Sequence, residues 1–271
     1  MIRCGPVAGI PDPSQPLIAL RNVSKSFGDV HVLRELNLDV PSGGTTVILG
    51  PSGAGKSVTL KLIIGLLQPD AGSVMALGER IDQLQEQQLV DIRRRIGFLF
   101  QQGALFDSMS VLENIAFPLR EHSDMDAGAR RAAALDVLHL LGIESCIDRL
   151  PGELSGGQRK RVALARAIVQ RPECILYDEP TTGLDPIRSD VVAHLLNQLQ
   201  ERLGGTSLVV THDIPLAFKV ADHMVLLRDG KAWLSGSPDI FQNSTDPVVR
   251  NFLDGTASAE DLLAMESEHA A

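Results

Sequence analysis

The sequence has no run approaching the roughly 18–20 consecutive apolar residues of a membrane-spanning helix, so no span is expected in it. It also lacks a surplus of positive charge. Its 25 Lys and Arg stand against 34 Asp and Glu, a net charge of −9, which speaks against a nucleic-acid partner that needs a basic face. Two short basic runs, Arg93–Arg94–Arg95 and Arg159–Lys160–Arg161, each read as a solvated helix face. Cysteine is scarce: Cys4, Cys146 and Cys174 are odd in number, form no CxxC and have no zinc-like spacing, so a reducing cytosol is expected. Aromatics are few, with one Trp and one Tyr. The opening MIRCGPVAGIPDPSQP lacks the apolar core of a signal peptide, and its prolines and glycines read as a loose tail over 1–16. No repeat or low-complexity tract is visible.

What is present is globular: 44% hydrophobic and 22% charged residues in a chain of 271, enough for one large domain or two modest lobes. LIALRNVSKSF and VHVLRELNLDV alternate apolar and polar residues around Gly28–Asp29, predicting an antiparallel strand pair. TTVILG reads as a buried strand, and SVTLKLIIGLL as the helix after it. From about 103 to 170 the pattern is mostly helical, with an amphipathic stretch stopped near Gly142. CILYDE and SLVVTHD are apolar runs separated by a helical stretch, which predicts parallel βα units. HMVLLRDGKAWLSG predicts a hairpin turning at Asp229–Gly230. DPVVRNFLDG and AEDLLAMESEHAA predict a short helical, acidic end.

Residues 50–57, GPSGAGKS, match GxxxxGK[ST] between a predicted strand and helix. Gly50, Gly53 and Gly55 let the backbone bend so that its N–H groups surround phosphate oxygens, and the following helix start adds a favourable dipole. Lys56 is suited to the β- and γ-phosphates, and Ser57 supplies a hydroxyl for Mg²⁺. Alone, the motif says only that the chain binds a nucleotide, as kinases and GTPases also do.

LSGGQ at Leu154–Gln158, followed by ILYDEP, resembles the signature of the ABC ATPase family, and the likeness runs from about Leu17 to Gly255. The resemblance implies an α/β fold, a P-loop NTPase (RecA-like) core with an antiparallel β-subdomain and an inserted α-helical subdomain at about 103–170. The ATPase domain would cover 17–254, with a tail at 255–271. It implies two copies meeting head to tail with ATP between them, the P-loop of one facing the signature of the other. Nucleotide contacts would then come from Gly50, Pro51, Ser52, Gly53, Ala54, Gly55, Lys56, Ser57 and Val58, and across the seam from Ser155, Gly156, Gly157, Gln158 and Asp185. Phe27 stands where the family usually has a tyrosine stacked on adenine; it keeps the ring. Val58 departs from the common threonine without losing the Ser57 hydroxyl. Ser155 also reads as a helix N-cap, and both roles are compatible. The resemblance makes Asp178 a Mg²⁺ ligand with Ser57 and Gln101. It makes Glu179 the general base, His212 the switch histidine, and Gln101, rather than Gln102, the residue touching the attacking water.

LFQQGALFDSMSVLENIAFPLREH, GKSVTLKLIIGLLQPDAG and DPVVRNFLDG resemble the lipid-transport branch linked to Mce-domain proteins, which includes the Mla system. That resemblance implies a motor for phospholipid transport, peripheral on the cytoplasmic face of a bacterial inner membrane. Its partners would be a separate permease, a small accessory subunit and a periplasmic Mce-domain protein. Leu105 and Phe106 either seat a permease helix or fill the helical core. The rival reading in the same class is an importer ATPase for amino acids or another small solute. A ribosome- or DNA-acting cassette is disfavoured by the single P-loop, and a small-molecule kinase by LSGGQ and His212.

Overall fold

The computed structural model describes residues 15–101 and 103–257. The expected tail before residue 15, Gln102 and the acidic stretch after residue 257 lie outside the described residues. β1 (Ile18–Phe27) and β2 (Val30–Val40) pair antiparallel across the Gly28–Asp29 turn, as their alternation predicts. β3 (Thr45–Leu49) is buried throughout and leads through the glycine loop into α1 (Lys56–Ile63). The apolar pattern suggests helix through Leu67, but the chain turns at Gly65, whose φ is +65°. A Cβ there would meet Leu89 Cδ2 at 2.6 Å, so the glycine that stops the helix also lets its neighbour close in.

Residues 71–99, left unassigned by pattern, form β4 (Ala71–Ala76), β5 (Glu79–Arg80), α2 (Glu86–Arg95) and β6 (Ile96–Leu99). β4 takes the free edge of β1, giving a four-stranded sheet in the order β2-β1-β4-β5. Gly72 is needed for that pairing: φ is +88°, and a Cβ would lie 2.4 Å from the Asn22 carbonyl oxygen. The expected helical stretch is α3 (Val111–His122), α4 (Ala127–Leu140) and α5 (Gly156–Ile168), packed on one another. The chain continues as β7 (Cys174–Asp178), α6 (Pro186–Leu203), β8 (Thr206–Thr211), α7 (Ile214–Val220) and the hairpin β9 (His223–Arg228) and β10 (Lys231–Gly236). It then forms α8 (Pro238–Gln242) and α9 (Pro247–Asp254).

The second sheet runs β10-β9-β3-β8-β7-β6, parallel except for β10. Period-two alternation divides its side chains between two cores. Val47, Leu49, Ile175, Tyr177 and Val209 join the helices α3–α7 on one face. Ile48, Cys174, Leu176, Leu208 and Val210 join α1, α2 and the antiparallel sheet on the other. Burial on both faces explains why these strands read as unbroken apolar runs.

The amino-terminal edge of this sheet is stitched across. The Arg95 guanidinium holds the Glu173 carboxylate at 2.6 and 3.1 Å, and the Thr206 N–H donates to the Glu173 carbonyl at 3.0 Å. Gly43 N–H donates to Thr206 Oγ1 at 3.0 Å, and Thr45 N–H to Asp222 Oδ2 at 2.8 Å. Neither basic run is a plain solvated face. Arg93 donates to the Ile64 carbonyl at 2.9 Å, and only Arg94 of its run is exposed. Arg159 and Arg161 reach the carbonyls of Leu154 and Leu141 at 2.8 and 3.2 Å. Long stems let these side chains lie along the protein and satisfy main-chain oxygens.

Candidate active site

The carboxyl ends of β3, β7 and β8 are neighbours in the sheet, so the chain segments that follow them converge. After β3, Gly53 and Gly55 adopt φ of +82° and +101°, as the bent loop requires. Gly50 serves differently from expectation. Its φ is ordinary, but a Cβ would sit 2.3 Å from the Leu227 carbonyl oxygen, so it is glycine for close approach. Gly55 caps α1 with no side-chain hydrogen bond, which leaves the first N–H groups of that helix to an anion. Pro51, Ser52 and Gly53 are exposed, Ala54 is buried, and Val58 packs against the second core.

Lys56 is 6% exposed. Its ammonium donates to the carbonyls of Gly50 and Pro51 at 2.7 and 3.0 Å and lies 3.4 Å from Glu179 Oε1. Ser57 Oγ donates to Asp178 Oδ1 at 2.8 Å. Burial raises the Asp178 pKa and the nearby Glu179 charge adds to this, while the Ser57 hydrogen bond and Lys61 and Lys56 oppose it. A buried carboxylate beside a hydroxyl is a hard-oxygen pair that a cation relieves, so these residues fit Mg²⁺. Among the described residues no three His, Cys, Asp or Glu side chains cluster as a closed metal cage.

Glu179 is 8% exposed and sits at φ +50°, an uncommon conformation for a residue with a Cβ. Its Oε2 is 2.9 Å from His212 Nδ1 and accepts longer bonds, each 3.4 Å, from Thr182 Oγ1, Thr211 Oγ1 and His212 N–H. With Nδ1–H given to the carboxylate, Nε2 of the exposed imidazole is left for another partner. The turn after Glu179 is held on two sides. Thr181 Oγ1 donates to Asp213 Oδ2 at 2.9 Å. Lys160, from α5, donates to the carbonyls of Pro180 and Thr182 at 2.8 and 2.7 Å. Reading Lys160 as solvated missed this, and Thr181, Thr211 and Asp213 carry no sequence signal because the partners that tie them here are remote in the chain.

The other expected residues stand apart from this cluster. Gln101 is exposed, two residues beyond Leu99, which pairs with Tyr177 of the strand that carries Asp178. Phe27 is half exposed at the end of β1, with Lys25 Nζ 5.5 Å from its ring centroid. Asp185 caps α6, its carboxylate accepting from Arg188 N–H at 2.9 Å. Ser155 caps α5: its Oγ accepts from Gln158 N–H at 3.3 Å, while Gln158 Oε1 accepts from Ser155 N–H at 2.9 Å. Among the described residues no hydrogen bond or ion pair joins residues 155–158 to residues 50–57. An added Cβ at Gly156 or Gly157 would meet nothing within 4 Å, and neither has positive φ. Nothing among the described residues requires glycine there. Leu105 is half-buried against the helical core, whereas Phe106 is 40% exposed and stacks on Phe117 at 4.7 Å.

A family model described as ABC transporter matches residues 33–182. The intermembrane phospholipid transport system ATP-binding protein MlaF of Escherichia coli is 42% identical over 89% of this chain and 90% of its own length. The probable ribonucleotide transport ATP-binding protein mkl of Mycobacterium leprae is also 42% identical, over 90% of this chain and 70% of its own. Among solved structures, a dimeric ATP-binding cassette in a post-hydrolysis state with ADP and Pi superposes with TM-score 0.75 at 36% identity, covering 81% of this chain and 98% of that one. CbiO1 of Clostridium perfringens, part of the ABC transporter complex cbiONQ, superposes with TM-score 0.78 at 29% identity, over 88% and 95%.

Proposed function

This chain belongs to the ABC transporter family, as an ATP-hydrolysing subunit, and from that premise we propose that it powers phospholipid transport between bacterial membranes through a separate permease. The 42% identity to MlaF across nine-tenths of both chains carries the cargo assignment. Among the described residues no helix is long and apolar enough to cross a membrane. Work on a lipid must therefore pass through contact with a membrane partner, and the subunit is peripheral to it. We place it on the cytoplasmic face of the inner membrane, with an Mce-domain protein and a small accessory subunit as further partners. In this reading residues 17–254 are the ATPase domain, 103–170 its helical subdomain, and 1–16 and 255–271 flanking tails.

Two copies act head to tail. Gly156 and Gly157 support this, since glycine inside a helix start costs stability and nothing among the described residues of their own chain asks for it. A phosphate brought by the opposing P-loop would need that open approach to the α5 N-terminus. Asp185 faces the same seam, and Phe27 stacks on adenine. When bound, Mg²⁺ neutralises charge on the β- and γ-phosphates, held by Ser57 Oγ and Asp178 with Gln101 alongside. Lys56 exchanges its carbonyl partners for phosphate oxygens, which frees the Glu179 carboxylate from its ion pair. Glu179 then takes the proton of the attacking water, and His212, tethered through Nδ1, turns Nε2 toward the γ-phosphate. Phe106, exposed just beyond Gln101, lines the permease contact.

The deciding experiment reconstitutes the subunit with its permease in liposomes. ATP should drive phospholipid transfer, and Phe106→Asp should abolish transfer while ATP binding and the melting curve persist. The specific rival is solute import; the mycobacterial relative's name gives ribonucleotide transport as its role. ATPase stimulation by a soluble solute, with no lipid transfer, would establish that rival.

A further inference from the structure

Four carbonyls follow one another in the turn that carries Glu179 into α6. The Glu179 carbonyl accepts from Thr182 N–H at 3.2 Å and that of Thr181 from Leu184 N–H at 3.0 Å. The two between and after them, of Pro180 and Thr182, both accept from the single ammonium of Lys160, at 2.8 and 2.7 Å. Pro180 is buried, and Lys160 and Thr182 are half-buried, so the Pro180 oxygen above all depends on that donor. The turn also has strain to contain, because Glu179 holds φ +50°. Burial lowers the Lys160 pKa, against the pull of the Glu179 charge.

Lys160 comes from α5, whose first turn is the signature. Ser155 caps that helix and Lys160 stands one turn further along the same rigid element. The end of α5 that would meet the phosphate of the opposite composite site is thus bonded directly to the turn behind the Glu179 of its own chain.

We propose that Lys160 is a positioning residue that couples the two ATP sites: closure of α5 on nucleotide at one site sets the 180–182 turn and aims Glu179 at the other. This rests on the head-to-tail reading above and adds to it a named path between the sites. Lys160 acts on the reacting groups indirectly, through main-chain oxygens. Its whole effect runs through the carbonyls of Pro180 and Thr182.

The test uses full-length mixed dimers in which one subunit carries Glu179→Gln, so that only the other subunit's Glu179 turns over. Lys160→Met is placed either in the chain with the active Glu179 or in its partner. The same-chain arrangement should lose about 10- to 100-fold in kcat, the range of a small misplacement of a reacting group. The partner arrangement should stay within about twofold of the control, as for a residue outside the measured transition state. In Lys160→Met homodimers the Hill coefficient for ATP should fall from above one to one, with nucleotide affinity kept, and Lys160→Arg, which retains both donors, should restore it. If Lys160→Met does not melt cooperatively, Lys160→Gln carries the same comparison. Equal losses in the two arrangements, no loss in either, or a raised KM at unchanged kcat overturns the inference. A wild-type chain that hydrolyses ATP as a monomer defeats the composite-site reading itself. A normally active wild-type dimer whose two Lys160→Met arrangements behave alike defeats only the coupling.

Discussion

The P-loop end and the signature end of this chain are built in opposite ways. At the first, buried side chains are bound within the chain: Lys56 to Glu179, Glu179 to the exposed His212, and Asp178 to Ser57. Glycines there are fixed by the chain itself, with Leu227 pressing on Gly50 and Leu33 on Gly55. At the second, among the described residues the side chains of Ser155 and Gln158 bond each other's turn and Cys146, and the two glycines face open space. A buried charge paired within its own chain, as Lys56 is with Glu179, has its partner at hand, and each is costly without the other. A helix start with unneeded glycines is half of something. The contrast separates what one polypeptide does alone from what requires a second.

The largest effect that could break the contrast lies at Glu179. Glu179→Gln should slow turnover by about 10²–10⁴, the worth of a general base, while ATP still binds and the dimer accumulates. Near-normal turnover removes Glu179 from the role. Next is Ser155→Arg, which should leave nucleotide binding by the single chain intact yet abolish ATP-dependent dimerisation and turnover. Mixing it with Lys56→Ala leaves one intact P-loop facing one intact signature. If that mixture binds ATP no better than Lys56→Ala alone, the two ends do not meet head to tail.

Smaller effects sharpen the contrast through stability. Asp178→Asn keeps an acceptor for Ser57 and removes a buried charge. It should raise the Tm of the nucleotide-free protein by about 2–4 °C at neutral pH, the response of a chain this size to about 1 kcal/mol. The sign with pH follows from the raised pKa. The folded chain holds the Asp178 proton more tightly than the unfolded one, so this contribution favours folding most below the ordinary value of 3.8. It is lost as pH rises through the folded value, and the Tm gap between variant and wild type should widen from acid to neutral pH. Gly157→Ala should be the mildest, stabilising the isolated chain by about 0.5–1 kcal/mol, as Ala does over Gly in a helix. The same variant should lower dimer turnover, and destabilisation of the isolated chain would mean that Gly157 has a packing role within it.

The sequence made the P-loop end legible because GPSGAGKS, the acids after ILY and the histidine after VVT are local strings whose chemistry is fixed by residue type. The parallel strands were legible for a similar reason, since burial on both faces leaves unbroken apolar runs. What stayed hidden depends on distant partners. β4 is short and holds Gly72, which reads as a strand breaker until the Asn22 carbonyl is seen beside it. α2 buries only Leu89 and Ile92 and offers little periodicity. Lys160 sits in a basic run that looks like a wet face, and only the fold brings Pro180 and Thr182 under it.

The stitched amino-terminal edge of the parallel sheet bears on how such a chain can change over generations. Bonds through Arg95, Glu173, Thr206, Gly43, Thr45 and Asp222 fix where each strand begins. Loops at the opposite edge are released from that duty, so insertions and deletions there leave strand register untouched. Change there is limited by the reactive groups themselves, since the P-loop, Glu179 and His212 follow β3, β7 and β8 at that edge. A one-residue deletion on the stitched side would instead shift a whole strand and turn its side chains to the wrong core.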